Sequence, residues 1–280
     1  MVIHQHTPDD LLKFSSGGGK LSDLVVWYSL PAGFTCRGAD ECLSRADRKT
    51  GKITDGKNTK FRCYEASLEA IYKSVRNKNW HNRNLVHRYR DDTKALTKLI
   101  TDSFFINGGS SILRPHIGGD FHWYPYFEAM MNFALAHPKV LVYFYTKSID
   151  FWVRYVDAHG SLPDNVVANA SWGGKFDHLI HEHKLKSAMV IGHPEPDIDN
   201  WIDHDDTIAM TPAHDWQGPT LPNGAPVFYL LIHGTQPKGS QASKDLSQLR
   251  KLGFYGYNKN KKKAGLNTKI FDKYREVILV

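Results

Sequence analysis

Hydrophobic and polar positions follow two different periods along this chain. Short apolar runs rich in β-branched and aromatic residues recur at 24–30 (LVVWYSL), 110–117 (SSILRPHI), 140–146 (VLVYFYT), 165–171 (NVVANAS), 187–192 (SAMVIG), 207–211 (TIAMT) and 227–234 (VFYLLIHG). Most end in Gly, Pro, Asn or Asp, the bounds expected of buried strands. Between them apolar residues return every three or four positions. Residues 63–77 (CYEASLEAIYKSVRN) predict a helix with Leu68, Ile71, Tyr72 and Val75 inward. Residues 80–105 predict a second, longer helix with Leu85, Tyr89, Leu96 and Leu99 inward, stopped by Asn107-Gly108-Gly109. Further helical patterns cover 124–136, 149–159, 176–184 and 241–252.

Strands that alternate with helices argue for a parallel sheet, and an uninterrupted apolar strand such as VLVYFYT is buried on both faces as parallel strands are. Right-handed crossovers wind such units into a barrel or an open sheet. No GxGxxG follows the first strand, so the dinucleotide-binding signature is missing. The expected fold is α/β, a partial or complete (β/α) barrel with mostly parallel strands. No domain boundary interrupts 1–280, which reads as a single domain. It has an irregular lead-in at 1–20, a cysteine-bearing loop at 31–63 and a basic segment at 253–280.

Composition narrows this only slightly. At 41% hydrophobic and 23% charged, 280 residues suffice for a sizeable core. No apolar run reaches the length of a membrane span, so no membrane partner is expected. The N-terminus MVIHQHTPDDLLKF lacks a signal-peptide pattern. The expectation is a cytoplasmic protein with reduced thiols. Net charge is +7, much of it in NKNKKKAG (258–265). That run reads as a solvated loop, with a phosphate-contacting patch, and so a nucleic-acid partner, as the alternative.

Polar residues gather where strands end, the place where α/β folds put their sites. These ends carry Gly118, Gly119 and Asp120; Lys147; Asn169 and Ser171. Turn-forming alone would account for many of them. Three cysteines are a sharper signal, because Cys36, Cys42 and Cys63 all fall within 28 residues and the rest of the chain has none. A disulfide is disfavoured in a reducing compartment and leaves one thiol over. Structural zinc needs a fourth ligand such as His81 or His87. Unrelated buried thiols remain open, since free cysteine packs as a small hydrophobe. The favoured reading is a [4Fe–4S] cluster on three thiolates, with one iron left open to a small molecule. The flanking Arg37, Arg45, Arg48, Lys49, Lys52, Lys57, Lys60 and Arg62 are expected to lower the thiol pKa values. Two other clusters read as less chemical. His178, His181 and His183 lack a metal-helix motif, and WIDHDDT (201–207) reads as a polar loop.

The block SLPAGFTCRGADECLSRADRKTGKI, with FRCYEAS, RPHIGGDF and YFYTKSIDFW after it, resembles the phage gene-product-88 family over about 20–172. Membership would place the protein in an infected host cell. A broader resemblance is to radical S-adenosylmethionine enzymes. These carry three cysteines after the first strand of a partial (β/α) barrel and a Gly-Gly-Glu-type motif after the second. Their cysteine spacing is CxxxCxxC; here the gaps are five residues and then twenty. The resemblance implies that Cys36, Cys42 and Cys63 hold the cluster and that Gly118, Gly119 and Asp120 line its cofactor side. Lys147, Asn169 and Ser171 follow as further candidates. It also implies S-adenosylmethionine at the open iron and an electron donor such as a ferredoxin or flavodoxin. The competing expectation is a non-catalytic accessory protein with a structural iron–sulfur or zinc site that binds a host protein or nucleic acid. A simple redox carrier is a third possibility.

Overall fold

The computed structural model describes residues 8–18, 21–195 and 197–254. The run NKNKKKAG and all but the first two residues of the basic segment 253–280 lie outside them, as does part of the lead-in. One mixed sheet of seven strands organises the chain. Its members are β1 (Ser15–Ser16), β2 (Val25–Tyr28), β5 (Ile112–Pro115), β6 (Leu141–Thr146), β7 (Val166–Ser171), β8 (Ser187–Ile191) and β9 (Val227–Leu231), adjacent in that order. From β2 to β9 every pair is parallel, while β1 runs antiparallel along the β2 edge. A complete barrel is therefore overturned, since β1 and β9 each end an open sheet. The parallel α/β architecture stands. No described helix is long and apolar enough to cross a membrane.

Strand side chains alternate, so each strand feeds two different cores. Val26, Tyr28, Leu113, Val142, Phe144, Ala168 and Ala170 point to one face and share one apolar cluster with helix residues. Those helices are α2 (Lys73–Arg88), α3 (Thr93–Ile106), α4 (Tyr124–Ala136), α5 (Ile149–His159) and α6 (Asp177–Glu182). Val25, Ile112, Leu141, Tyr143, Val167 and Phe228 point to the other face, against Ala209 and Met210. Thus TIAMT is not a strand. It forms turns inside the long β8–β9 connection and packs as a plug on the second face. Its backbone is claimed by side chains: Ala209 O accepts from Asn169 and Lys186, and Ala209 N donates to Asp203.

Two helix expectations need correction. The expected helix 63–77 is α1 (Tyr64–Ile71) and then the start of α2, broken at Tyr72, whose backbone is extended. Its predicted inward residues Ile71 and Tyr72 are 60% and 53% exposed, whereas Glu65, Ala66, Ser67 and Glu69 are buried. Buried carboxylates inverted the periodicity signal. The expected helix 80–105 divides between α2 and α3, where the Asp92 side chain caps the new start by accepting from Ala95 N. Leu85, Leu96 and Leu99 are buried as expected.

Candidate functional site at the strand ends

The cysteine-bearing segment is better ordered than a loop. Between Cys42 and Cys63 it forms an antiparallel hairpin, β3 (Ser44–Ala46) and β4 (Ile53–Asp55). It then lies across the carboxyl ends of the parallel strands. Leu30 N donates to Gly118 O, the Asp40 and Glu41 amides donate to Gly173 O, and Lys175 N donates to Gly38 O. Ala39 and Gly174 form an isolated bridge. A Cβ at Gly38 would strike the Lys147 carbonyl, so the approach is closed to any other residue. Arg37 fastens the segment to α5 through Asp150 at 2.5 Å.

Within this frame the three cysteines are free and partly buried, and they are not gathered into one group. Gly33 N donates to Cys36 Sγ at 3.3 Å. Cys63 is the residue that precedes α1, where the Glu65 and Ala66 amides favour its thiolate. Burial nonetheless dominates every thiol. It pushes Cys63 up to about 12, carries Cys36 well above the usual range, and raises Cys42. Each of the three also feels negative charge from its neighbours, including Asp120 at Cys36 and Cys42.

The flanking cations do not lower the thiols as expected. Lys60 pairs with Glu41, Arg62 with Asp55, Arg37 with Asp150, and Arg45 donates to Gly33 O. The cation that does favour a thiolate is Lys147, at Cys42, and it comes from another strand.

The glycines and the acid after β5 face the cysteine segment, but their contacts are with protein. A Cβ at Gly118 would collide with the Glu65 side chain, and one at Gly119 with Leu30 and Thr35. Gly119 also has φ +83°, a left-handed conformation that favours glycine. Asp120 accepts from Phe121 N and Thr146 Oγ1 on one oxygen and from Lys147 N on the other. Burial still pushes it up to about 6. Lys147 Nζ donates to Ser171 O at 3.0 Å, Ser171 Oγ at 3.1 Å and Trp172 O. Gly118, Gly119, Asp120, Lys147 and Ser171 are thus brought together with the cysteine segment. Asn169 is not: it points to the second face and donates to Phe144 O and Ala209 O, its own Oδ1 unpartnered.

WIDHDDT is a polar loop as expected, and two of its acids are drawn into the second face. Asp206 pairs with the half-buried Arg114 and accepts from Tyr143 OH at 2.8 Å, while Asp203 is 8% exposed and pushed up to about 7 by burial. Sequence reasoning missed this network. The signal was a lone arginine inside the apolar run SSILRPHI, which demands a buried acid elsewhere. Among the described residues, no group of three or more His, Cys, Asp or Glu is placed to hold a metal ion. That holds for Cys36, Cys42 and Cys63 as well as for the histidines of α6.

Fold and site together define an α/β protein with an open parallel sheet, backed by helices on one face and bearing a cysteine segment over its strand ends. The chain belongs to the Gene product 88 family, whose model matches residues 7–249. No curated protein and no solved structure matches it.

Proposed function

We propose that this chain is an iron–sulfur protein in which Cys36, Cys42 and Cys63 ligate a [4Fe–4S] cluster with one iron open to a small molecule. The observation that carries the reading is that one segment over the strand ends bears all three thiols, each held protonated by burial, although they are not gathered into a group placed to hold a metal ion. Such thiols are poor nucleophiles, and a metal is what would take their protons. When bound, the cluster would supply one-electron chemistry to the molecule at its open iron. Lys147 would favour the Cys42 thiolate, the α1 amides would favour that of Cys63, and the segment's seal over the strand ends would limit water.

The finer reading is a radical S-adenosylmethionine-like enzyme served by a ferredoxin- or flavodoxin-type donor. Its support is the order of six parallel strands, sequential from β2 to β9, with the cysteine segment directly after the first. Against it, Gly118, Gly119 and Asp120 spend their contacts on protein. That observation favours a second reading, in which the metal is structural and the protein is an accessory factor. Anaerobic purification with iron, sulfide and zinc analysis separates these. Iron and sulfide are expected, with loss of both in Cys63→Ala; a colourless, zinc-loaded protein would sink the cluster. If iron is present, S-adenosylmethionine with dithionite should yield 5′-deoxyadenosine or methionine, and absence of cleavage assigns the cluster a redox or structural role.

A further inference from the structure

Several of the described arginines have found an acid. Arg37, Arg62, Arg88, Arg90 and Arg114 each pair with an aspartate. Arg45, Arg48 and Arg83 have no carboxylate partner among the described residues, and all three stack on aromatic rings instead. Arg45 lies over Phe34 at 5.5 Å and Arg48 over Trp80 at 4.8 Å. Arg83 reaches both Trp80 and Trp123, at 5.8 and 5.9 Å. The rings themselves touch, with Phe34 and Trp80 centroids 5.0 Å apart. The result is one continuous strip, Arg45, Phe34, Trp80, Arg83, Trp123, crossing from the cysteine segment over α2 to the start of α4. Phe34 is 43% exposed, and Arg45 and Arg48 are exposed, while Trp80, Arg83 and Trp123 are half-buried and Trp123 also packs against the helix-side core.

The like charges are close enough to matter. Burial and then the neighbouring Arg48 and Arg90 lower the pKa of Arg83. A folded protein that gathers unpaired guanidiniums carries a local cost that an anion would remove. A guanidinium stacked by its face still offers its N–H edge to phosphate. Rings at this spacing, interleaved with cations, match a polymer that repeats a flat base and a negative phosphate. A duplex hides its base faces and would leave Phe34 without a partner.

We propose that this strip is a binding surface for single-stranded nucleic acid, with bases stacking on Phe34, Trp80 and Trp123 and phosphates held by Arg45, Arg48 and Arg83. It differs from the basic run 258–265 that the sequence singled out, and it stands whether or not the cysteines hold a cluster.

The test uses the full chain and a fluorescein-labelled oligothymidylate of about twenty residues, read by anisotropy over a salt series. Saturable binding is expected, tighter than to a duplex of the same length. The double variant Arg48→Glu, Arg83→Glu should weaken it at least about tenfold and flatten the salt slope by about 1 to 1.5. Phe34→Ala, at an exposed position that the core does not need, should weaken it at least about fivefold with the slope unchanged. Charge reversal of Lys261, Lys262 and Lys263 is the control. If that triple variant abolishes binding while the arginine variant keeps it, the strip is not the site. Equal or tighter binding of the duplex, or equal competition by polyglutamate, overturns the single-strand assignment. Unchanged circular dichroism melts keep the variants interpretable, and the Phe34 result stands alone if the arginine variant fails to fold.

Discussion

The two faces of the sheet are built from the same strands and are held by different physics. On β6, Val142 and Phe144 enter the helix-backed core, while Tyr143 and Tyr145 between and beyond them reach the opposite side. The helix face is mainly apolar, with Phe144, Phe121 and Phe127 packed edge to face at 5.1 to 6.0 Å and its buried hydroxyls and imidazole, those of Tyr28, Tyr126 and His116, uncharged and bonded to one another. The second face carries Arg114, Asp206, Asp203 and Lys186 in contact with a connection that is not a strand. Apolar burial is non-directional and tolerates approximate fit. A buried ionic network is directional, so it selects one seating of the 203–210 connection and penalises the rest. The helix face therefore supplies stability, and the second face supplies register for the plug.

The largest effects should fall on both faces but differ in how they are repaired. Phe144→Ala should cost about 3–5 kcal/mol in urea unfolding, because it leaves a cavity among side chains that cannot collapse. Asp206→Ala should cost a similar ~3–5 kcal/mol by stranding Arg114 without its counter-ion. Adding Arg114→Met to Asp206→Leu should then recover most of the loss, since an apolar pair avoids desolvating charge. If the double substitution is no better than the single, the network does more than neutralise Arg114.

A second effect depends on pH and belongs only to the polar face. Burial pushes Asp203 up to about 7, so its contribution to stability is fully present below the unfolded value near 4 and is lost as pH rises through about 7. Lys186 moves the other way. Burial depresses it to about 7, so its contribution is present above the unfolded value near 10.4 and is lost as pH falls through about 7. Asp203→Asn should therefore gain on the parent between pH 4 and 7, with a slope approaching about 1.4 kcal/mol per unit. Lys186→Met should gain as pH falls from 10 to 7. Denaturant midpoints across pH read both, and flat differences would show that the two groups are charged and paired in the folded protein.

The helix-facing core was largely legible in sequence, because its strands and helices obey their periods: β6, β7, α4 and α5 all fall within a residue or two of the pattern. The polar face was not. Ile208, Ala209 and Met210 are apolar because they plug a sheet face, and short apolar plugs have the same local signature as short strands. The candidate site was half legible. Cysteine count and strand-end position located the segment, and the structure does lay it against Gly119, Asp120 and Lys147. Local charge misled, because Arg37, Lys60 and Arg62 answer to acids at Asp150, Glu41 and Asp55 and not to the nearby sulfurs. Partner choice over distance leaves no trace in a window of sequence. The arginine strip was equally hidden, since Phe34, Arg48, Trp80, Arg83 and Trp123 come from three separate stretches.

The smallest effects sharpen the contrast within β6 itself. Tyr143 OH donates to Asp206 Oδ2 at 2.8 Å, whereas Tyr145 OH reaches Asp206 Oδ1 only at 3.4 Å. A hydrogen bond to a charged acceptor is worth about 1.5–3 kcal/mol at good geometry and falls away steeply beyond it. Tyr143→Phe should therefore cost about 1.5 kcal/mol or more, and Tyr145→Phe less than about 0.5 kcal/mol. Both rings stay in place, so the difference isolates the hydroxyl. In Asp206→Ala both substitutions should become nearly neutral, because the acceptor they share is gone. If Tyr145→Phe is instead the costlier change, Asp206 is turned toward Tyr145 in solution, and Arg114, which lies over both rings at 5.8 and 5.2 Å, must turn with it.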